Sequence, residues 1–242
     1  MSPRKGGGAD DVLPPITSSG TTRRLPPNRP GPGSGSYPVA VDFQPVRDAY
    51  SSRSEQYIAL FDGDWQPHED DRTLIRRHLT GVPGAVLDVG CGPGHWTAFL
   101  NAQGGEVTGI DLVPEFIAHA RATHPGVEFR LGSMTELDAP AHSLGGVLAW
   151  YSTIHLPPAE LDRVLAEFRR LLAVSGMLVV GFFDSDDGVA AFDHAVITAY
   201  RWPVDVFAER LARAGFAEVQ RQQQQFPERP DRKYAAIAAR AS

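Results

Sequence analysis

Leu87-Asp88-Val89-Gly90-Cys91-Gly92-Pro93-Gly94-His95-Trp96-Thr97 is the stretch that decides how the rest of this chain is read. Its apolar start is the end of a short strand, its glycines form a sharp turn, and its last residues open a helix. Glycine is wanted in such a turn where φ is positive, or where a ligand must approach the main chain without meeting a Cβ. Unpaired N–H groups at the helix start favour a negatively charged or carboxylate-bearing ligand. Pro93 has no N–H to offer and serves only to stiffen the turn.

Outward from this turn the pattern is regular. Ala85 to Val89, Glu106 to Asp111, Val127 to Leu131, Gly146 to Tyr151 and Met177 to Phe183 read as short apolar strands. Helical stretches alternate with them: His95 to Ala102, Glu115 to Thr123 and Pro158 to Leu172. In the last of these, Leu161, Val164, Leu165, Phe168, Leu171 and Leu172 share one face. Such alternation makes a mostly parallel sheet covered on both faces. A helix from Val204 to Ala214 stops at Gly215, and Phe216 to Gln220 and Lys233 to Ala239 follow as strands. Their connection is too short for a crossover helix, so they form an antiparallel edge hairpin. The expected fold is a doubly wound, seven-stranded, mostly parallel α/β sheet with an antiparallel C-terminal edge hairpin.

Ahead of the sheet, Val46 to Leu60 and Glu69 to Leu79 read as helices separated by a loop over residues 62–69. Residues 1–36 hold seven prolines, seven glycines and little apolar periodicity, and read as a disordered or flexible tail. One domain is expected over 37–242, with residues from about 45 to 80 as an N-terminal helical lid.

The net charge of −6 argues against a general nucleic-acid binder, which would present a basic face. No apolar run is long enough for a membrane span, and no signal peptide is apparent, so the expected setting is cytoplasmic. Cys91, the single cysteine, forms neither an internal disulfide nor a multi-thiolate metal site. His119, His124 and His142 lack a metal-ligand context, and no metal is expected.

Asp111 lies 21 residues after Gly90, at the end of the second strand, where an acid accepts both hydroxyls of a ribose. A glycine turn with a capping aspartate is the plainer alternative. A dinucleotide fingerprint would need glycine at position 95 or 97, which are His95 and Thr97, and no Gly-Lys-Ser/Thr of a P-loop follows. With Val107-Thr108-Gly109-Ile110-Asp111, the segment Val86-Leu87-Asp88-Val89-Gly90-Cys91-Gly92-Pro93-Gly94 resembles the class I S-adenosylmethionine-dependent methyltransferases. The resemblance runs over roughly residues 45–240. It implies that Asp88, Gly90 and Gly92 hold the methionine end of S-adenosylmethionine, Asp111 the ribose, and Leu112 the adenine. Ser133 and Met134 fall where such enzymes contact the adenine ring and its amino group. Many relatives carry an acid near position 133, where this chain has Ser133.

Methyl transfer requires alignment and a desolvated pocket, and in some cases a base. Trp150 and Tyr151 end the fourth strand and either shape the space near the sulfonium or pack in the core. His155 is the best candidate for a general base, since its ordinary pKa lies near neutrality; loop or capping use is the alternative. Tyr50 and Tyr57, seven residues apart on one helix face, are expected over the cofactor, with Tyr57 and Tyr151 joining His155 as candidate catalytic groups. Trp65 and His68 border the expected substrate entrance, and His95 and Trp96 close over the methionine end. Tyr200 and Trp202, with His194 and Arg201, lie in a segment expected to cover the acceptor. The run from Gln222 to Gln225 decorates an edge strand.

The expected activity is methyl transfer from S-adenosylmethionine, leaving S-adenosylhomocysteine, to a small organic acceptor. No nucleic-acid or membrane partner is expected, and the chain acts as a monomer or homodimer. The loop after the fourth strand, Ala149-Trp150-Tyr151-Ser152, lacks the Asn-Pro-Pro-Tyr-type sequence common in enzymes acting on nucleic acids and proteins. A macromolecular acceptor, a noncatalytic cofactor-binding interaction protein and an NAD-dependent oxidoreductase are the alternatives.

Overall fold

The structure, a computed structural model, describes residues 42–62, 66–227 and 229–242. The expected tail over 1–36 and Trp65 lie outside the described residues. Three helices come first: α1 (Gln44–Ser51), α2 (Ser54–Phe61) and α3 (Glu69–Leu79). Then β1 (Ala85–Val89), α4 (His95–Ala102), β2 (Val107–Asp111), α5 (Pro114–Thr123) and β3 (Glu128–Leu131) follow in order. After them come β4 (Leu144–Trp150), α6 (Pro158–Leu171), β5 (Leu172–Asp184), β6 (Ala190–Phe192) and β7 (Ala199–Trp202). The chain ends with α7 (Val204–Arg213), β8 (Phe216–Gln224) and β9 (Lys233–Ala241).

The sheet is a Rossmann-like doubly wound one. Strands β3, β2, β1, β4 and β5 lie side by side and parallel, and β9 runs antiparallel along the far side of β5. Strand β8 completes the antiparallel pair at the edge, as expected. Side chains alternate across the sheet with the period of two that a pleated strand imposes. Leu87, Val89, Val147, Ala149, Leu178, Val180 and Ile237 face one way and pack on Leu161, Val164, Leu165 and Phe168 of α6. Val86, Leu148, Val179, Ala236 and Ala238 face the other way, onto Leu74, Ile75 and Leu79 of α3 and Trp96 and Leu100 of α4. The connections carry the helices to both faces and leave the C-terminal ends of β1, β2 and β4 open to a ligand crevice.

Two features differ from expectation. The helix expected over Val46 to Leu60 is broken at Ser52 and Arg53 into α1 and α2. Ser52 and Ser54 donate their hydroxyls to the carbonyls of Ala49 and Ser51, competing with the helical ladder. The second difference is a small hairpin, β6 and β7, in the segment after β5 where no strand was expected. Strand β7 pairs in parallel with Phe183 and Asp184, beyond Trp150, the last residue of β4 paired with β5. These strands are too short for their side-chain pattern to register in the sequence.

Asp184 ties this corner together. Its carboxylate accepts from the N–H groups of Ser185 at 2.9 Å and Val204, the first residue of α7, at 3.1 Å, and from Gln223 Nε2 at 2.8 Å. Only 5% exposed, it leaves buried donors unpaired when removed. Asp184→Ala is expected to cost about 1–3 kcal/mol. At about 2–4 °C per kcal/mol for a chain of this size, a thermal melt should show a fall of roughly 2–12 °C.

Candidate active site

The glycine turn lies at the head of β1 as the sequence indicates. The N–H groups of Gly90 and Cys91 both donate to the Ile110 carbonyl, and that of Gly92 donates to Asp111 Oδ2 at 2.8 Å. The N–H groups of Gly90, Cys91 and Gly92 are therefore spent inside the protein. What the glycines supply is space. Gly90 has φ of 74°, and a Cβ there would lie 2.3 Å from Ser152 Cβ. At Gly92, with φ of 53°, the nearest atom to such a Cβ is Tyr57 Cε1 at 3.9 Å, so a side chain would grow into the space facing α2.

That space is a cleft partly open to solvent. Gly90, Gly92, Asp111, Leu112, Met134 and Trp150 line it, as do Tyr50, Tyr57, Tyr151 and His155. The structure thus brings ten of the sequence-selected residues to one cleft. Asp111, 8% exposed, is locked by bonds from Gly92 and Val113 N–H. Burial pushes its carboxyl up to about 6 against the opposing effect of these backbone donors. Among the described residues it is the one acidic side chain lining the cleft, and no lysine or arginine lines it. A carboxylate among aromatic rings favours a cationic ligand.

Asp88, Ser133, Trp202 and Tyr200 are among the sequence-selected residues that lie elsewhere, as are His68, His95, Trp96, His194 and Arg201. Asp88 is 1% exposed and accepts from Thr97 Oγ1 at 2.6 Å. It also receives the Thr97 backbone N–H, so it anchors α4 from beneath instead of lining the cleft. Burial first, and then the neighbouring Asp111 carboxylate, raise it to about 7. Ser133 hydrogen-bonds Thr135 Oγ1 at 2.9 Å and does not line the cleft. Trp202, 1% exposed, is packed edge-on against Phe207 under α7, with the Arg210 guanidinium over its ring. Tyr200 packs against that same core, its N–H bonded to the Ile154 carbonyl. Pairing of β7 with β5 draws Trp202 inward, away from the expected acceptor cover.

Helices α1 and α2 are held against the rest of the chain from several sides. Tyr50 meets Tyr57 and Phe116 edge-on, at centroid distances of 5.4 and 6.0 Å. The Arg53 guanidinium donates to the Ala195 carbonyl, Ser51 to Glu115, and His95 to the Phe61 carbonyl. Burial depresses His95 to about 4, which keeps it neutral in this last role. Across the cleft, Tyr50 Oη lies 2.9 Å from His155 Nε2, and His155 Nδ1 lies 2.9 Å from the Thr198 carbonyl. A carbonyl only accepts, so Nδ1 carries the proton, and Nε2 of the neutral ring accepts from the tyrosine hydroxyl. Tyr151 holds φ of 53°, uncommon for a bulky residue, and turns the chain from β4 into this loop.

The sequence reading missed Phe116, Val113 and Ser152, which also line the cleft. Phe116 lies on a helix face whose spacing looks like ordinary core. Ser152 is marked only by its contact with the Cβ-free side of Gly90.

A family model described as a methyltransferase domain matches residues 86–176. The ubiquinone biosynthesis O-methyltransferase of Xylella fastidiosa is 31% identical over 164 residues, covering 61% of this chain and 65% of that protein. The matched part of the chain thus spans just under two thirds of the length of that relative. Among solved structures, the Burkholderia thailandensis 1,6-didemethyltoxoflavin-N1-methyltransferase, with 1,6-didemethyltoxoflavin and S-adenosylhomocysteine bound, is 26% identical. It superposes with a TM-score of 0.69 over 86% of this chain and 93% of its own. Magnesium protoporphyrin IX methyltransferase from Synechocystis, with S-adenosylmethionine bound, shares the fold at 19% identity and a TM-score of 0.65, covering 86% and 100%.

Proposed function

We propose that this chain, which belongs to the class I S-adenosylmethionine-dependent methyltransferases, transfers a methyl group from that cofactor to a small organic acceptor. The observation that carries the reading is the cleft itself: a glycine-bared floor, a buried carboxylate at the end of β2, aromatic walls and, among the described residues, no lysine or arginine. A positively charged cofactor fits that donor set, whereas the pyrophosphate of a dinucleotide finds no cation and no available turn amide at Gly90, Cys91 or Gly92. S-adenosylmethionine supplies an electrophilic methyl on a sulfonium. Gly90, Gly92 and Trp150 would hold its methionine end, Asp111 its ribose, and Leu112 and Met134 its adenine. The α1 and α2 lid shields one side of the cleft from water through Tyr50 and Tyr57. A small acceptor suits the space left beside these rings, in line with the 1,6-didemethyltoxoflavin held by the Burkholderia neighbour. The setting is cytoplasmic, where Cys91 remains a thiol.

The proton of the acceptor leaves through Tyr50 and His155. The Tyr50 oxygen accepts it while passing its own proton to His155 Nε2, and the Thr198 carbonyl holds the imidazole in the tautomer that makes Nε2 the receiver. His155→Ala is expected to lower kcat by about 100-fold or more, while S-adenosylmethionine affinity changes only a few-fold. His155→Gln should keep the lid contact but not the turnover. Turnover unaffected by both changes would reduce His155 to a structural contact.

The reading as a whole is tested by calorimetry with S-adenosylmethionine, followed by incubation with the labelled donor and a panel of metabolites. A labelled product that depends on the protein is the expected result. A folded protein that does not bind the cofactor would overturn it.

A further inference from the structure

Arg53 stands at the break between α1 and α2, and its main chain joins the two tyrosines that these helices bring to the cleft. Its N–H donates to the Tyr50 carbonyl at 3.1 Å, and its own carbonyl accepts from Tyr57 N–H at 2.9 Å. The side chain reaches across to the segment between β6 and β7, where the guanidinium donates to the Ala195 carbonyl. It is half-buried, and among the described residues no carboxylate pairs with it. The contact is therefore not one of the exposed ion pairs that contribute little.

The segment that Arg53 grips is the one that orients His155. Three residues beyond Ala195, the Thr198 carbonyl accepts from His155 Nδ1, and Tyr200 N–H donates to the Ile154 carbonyl at 2.8 Å. Within the same stretch Val196 N–H donates to His194 Nδ1 at 3.3 Å, and the buried His194 ring lies edge-on to His155 at 5.3 Å. One short stretch of chain thus carries both the imidazole and the anchor of the α1–α2 junction. The circuit closes where Tyr50 Oη meets His155 Nε2 at 2.9 Å.

A staple for the two helices would account for the Arg53 bond by itself. It does not account for the anchor being the His155 segment, since Ser51 and Phe61 already tie α1 and α2 to Glu115 on α5 and His95 on α4. We propose that Arg53 is a positioning residue, which sets the Tyr50 hydroxyl against His155 Nε2 by tying the α1–α2 junction to the segment that fixes the imidazole. A misplacement of about 1 Å between reacting groups costs about 100-fold in rate, so a bond that holds this pair in register serves proton transfer. That service rests on the methyl-transfer reading; the placement of Tyr50 against His155 does not.

The test follows the His155 ring nitrogens by long-range proton–nitrogen NMR in the full chain without cofactor. Their signals are assigned by loss in His155→Gln, and Tyr50→Phe gives the position of Nε2 without its donor. Arg53→Met is expected to move Nε2 toward the Tyr50→Phe position, and Arg53→Lys, which keeps a cationic donor, to restore most of the native one. His142, bonded to the Leu172 carbonyl at 3.1 Å, reports on the fold and should not move. A native His155 signal in Arg53→Met, or a change that includes His142, overturns the assignment. The second readout is S-adenosylhomocysteine release by stopped flow. Arg53→Met should speed release by about tenfold, the effect of one hydrogen bond from a charged group. Combined with Tyr50→Phe, its effect should fall well short of the product of the two single changes, and a full product overturns the assignment. A native chain that does not bind S-adenosylhomocysteine overturns the methyl-transfer reading, and the His155 signals then decide the role of Arg53.

Discussion

Gly90→Ala should cost this protein both stability and cofactor binding. A Cβ at this position meets Ser152 Cβ at 2.3 Å, too close for any rotamer to relieve, and φ of 74° adds backbone strain to any L side chain. Overpacking costs about 1–3 kcal/mol, and the left-handed backbone adds about 1–2 kcal/mol. The sum corresponds to a fall in melting temperature of roughly 4–20 °C at 2–4 °C per kcal/mol. The strand-to-turn junction and the loop bearing His155 must then move apart, which spoils the cleft from both sides. Two measurements separate the contributions: a thermal melt, and calorimetric titration with S-adenosylhomocysteine. Ser152→Gly added to Gly90→Ala should recover the steric part and leave the φ penalty. A single variant as stable as the native chain, binding as tightly, would show that this contact is not a constraint.

Asp111→Ala is expected to lower cofactor affinity by roughly 100-fold or more, since two hydrogen bonds to a charged acceptor contribute about 1.5–3 kcal/mol each. Removing the carboxylate also frees the N–H groups of Gly92 and Val113 and loosens the turn. The pH dependence is more specific than the loss. Asp111 is raised by burial from 3.8 to about 6, so its contribution to the stability of the cofactor-free protein is full below pH 4 and is lost as pH rises through 6. Ribose hydroxyls donate to the ionised form, so cofactor affinity moves the opposite way. It should rise as pH climbs through 6, level off above 7, and fall by up to tenfold per unit below. Asp88 titrates nearby at about 7, but its carboxylate is held by Thr97 and does not face the cleft. Asp111→Asn should flatten the low-pH limb and bind about tenfold more weakly at pH 7.5. An affinity unchanged in Asp111→Ala, or a native profile flat between pH 5 and 7, would remove the ribose role.

The sheet, its seven main strands and the place of the turn were legible because they depend on local signals. Alternation on β1, β4 and β5, the single apolar face of α6 and the glycines at 90, 92 and 94 each act over a few residues. Local chemistry also marks where such reading misleads. Ser52 and Ser54 divert backbone carbonyls and split an otherwise continuous helical pattern into α1 and α2. Trp202 has the composition of a pocket residue and the environment of a core one, because β7 is recruited to β5.

The sequence by itself determined the doubly wound architecture, the cleft at the end of β1, and Asp111 as the acid that faces it. Periodicity and glycine conformation act within one strand or turn and do not depend on distant segments. Only the tertiary structure decided that Asp88 supports α4 from beneath, that Tyr50 pairs with His155, and that Asp71 meets Gln222 and Gln224. The latter two pairings join residues more than a hundred positions apart, brought together where α1 and α3 settle against later strands and loops. Their chemistry is set by the burial and hydrogen-bond partners that packing creates, and neither is encoded in any single stretch of chain.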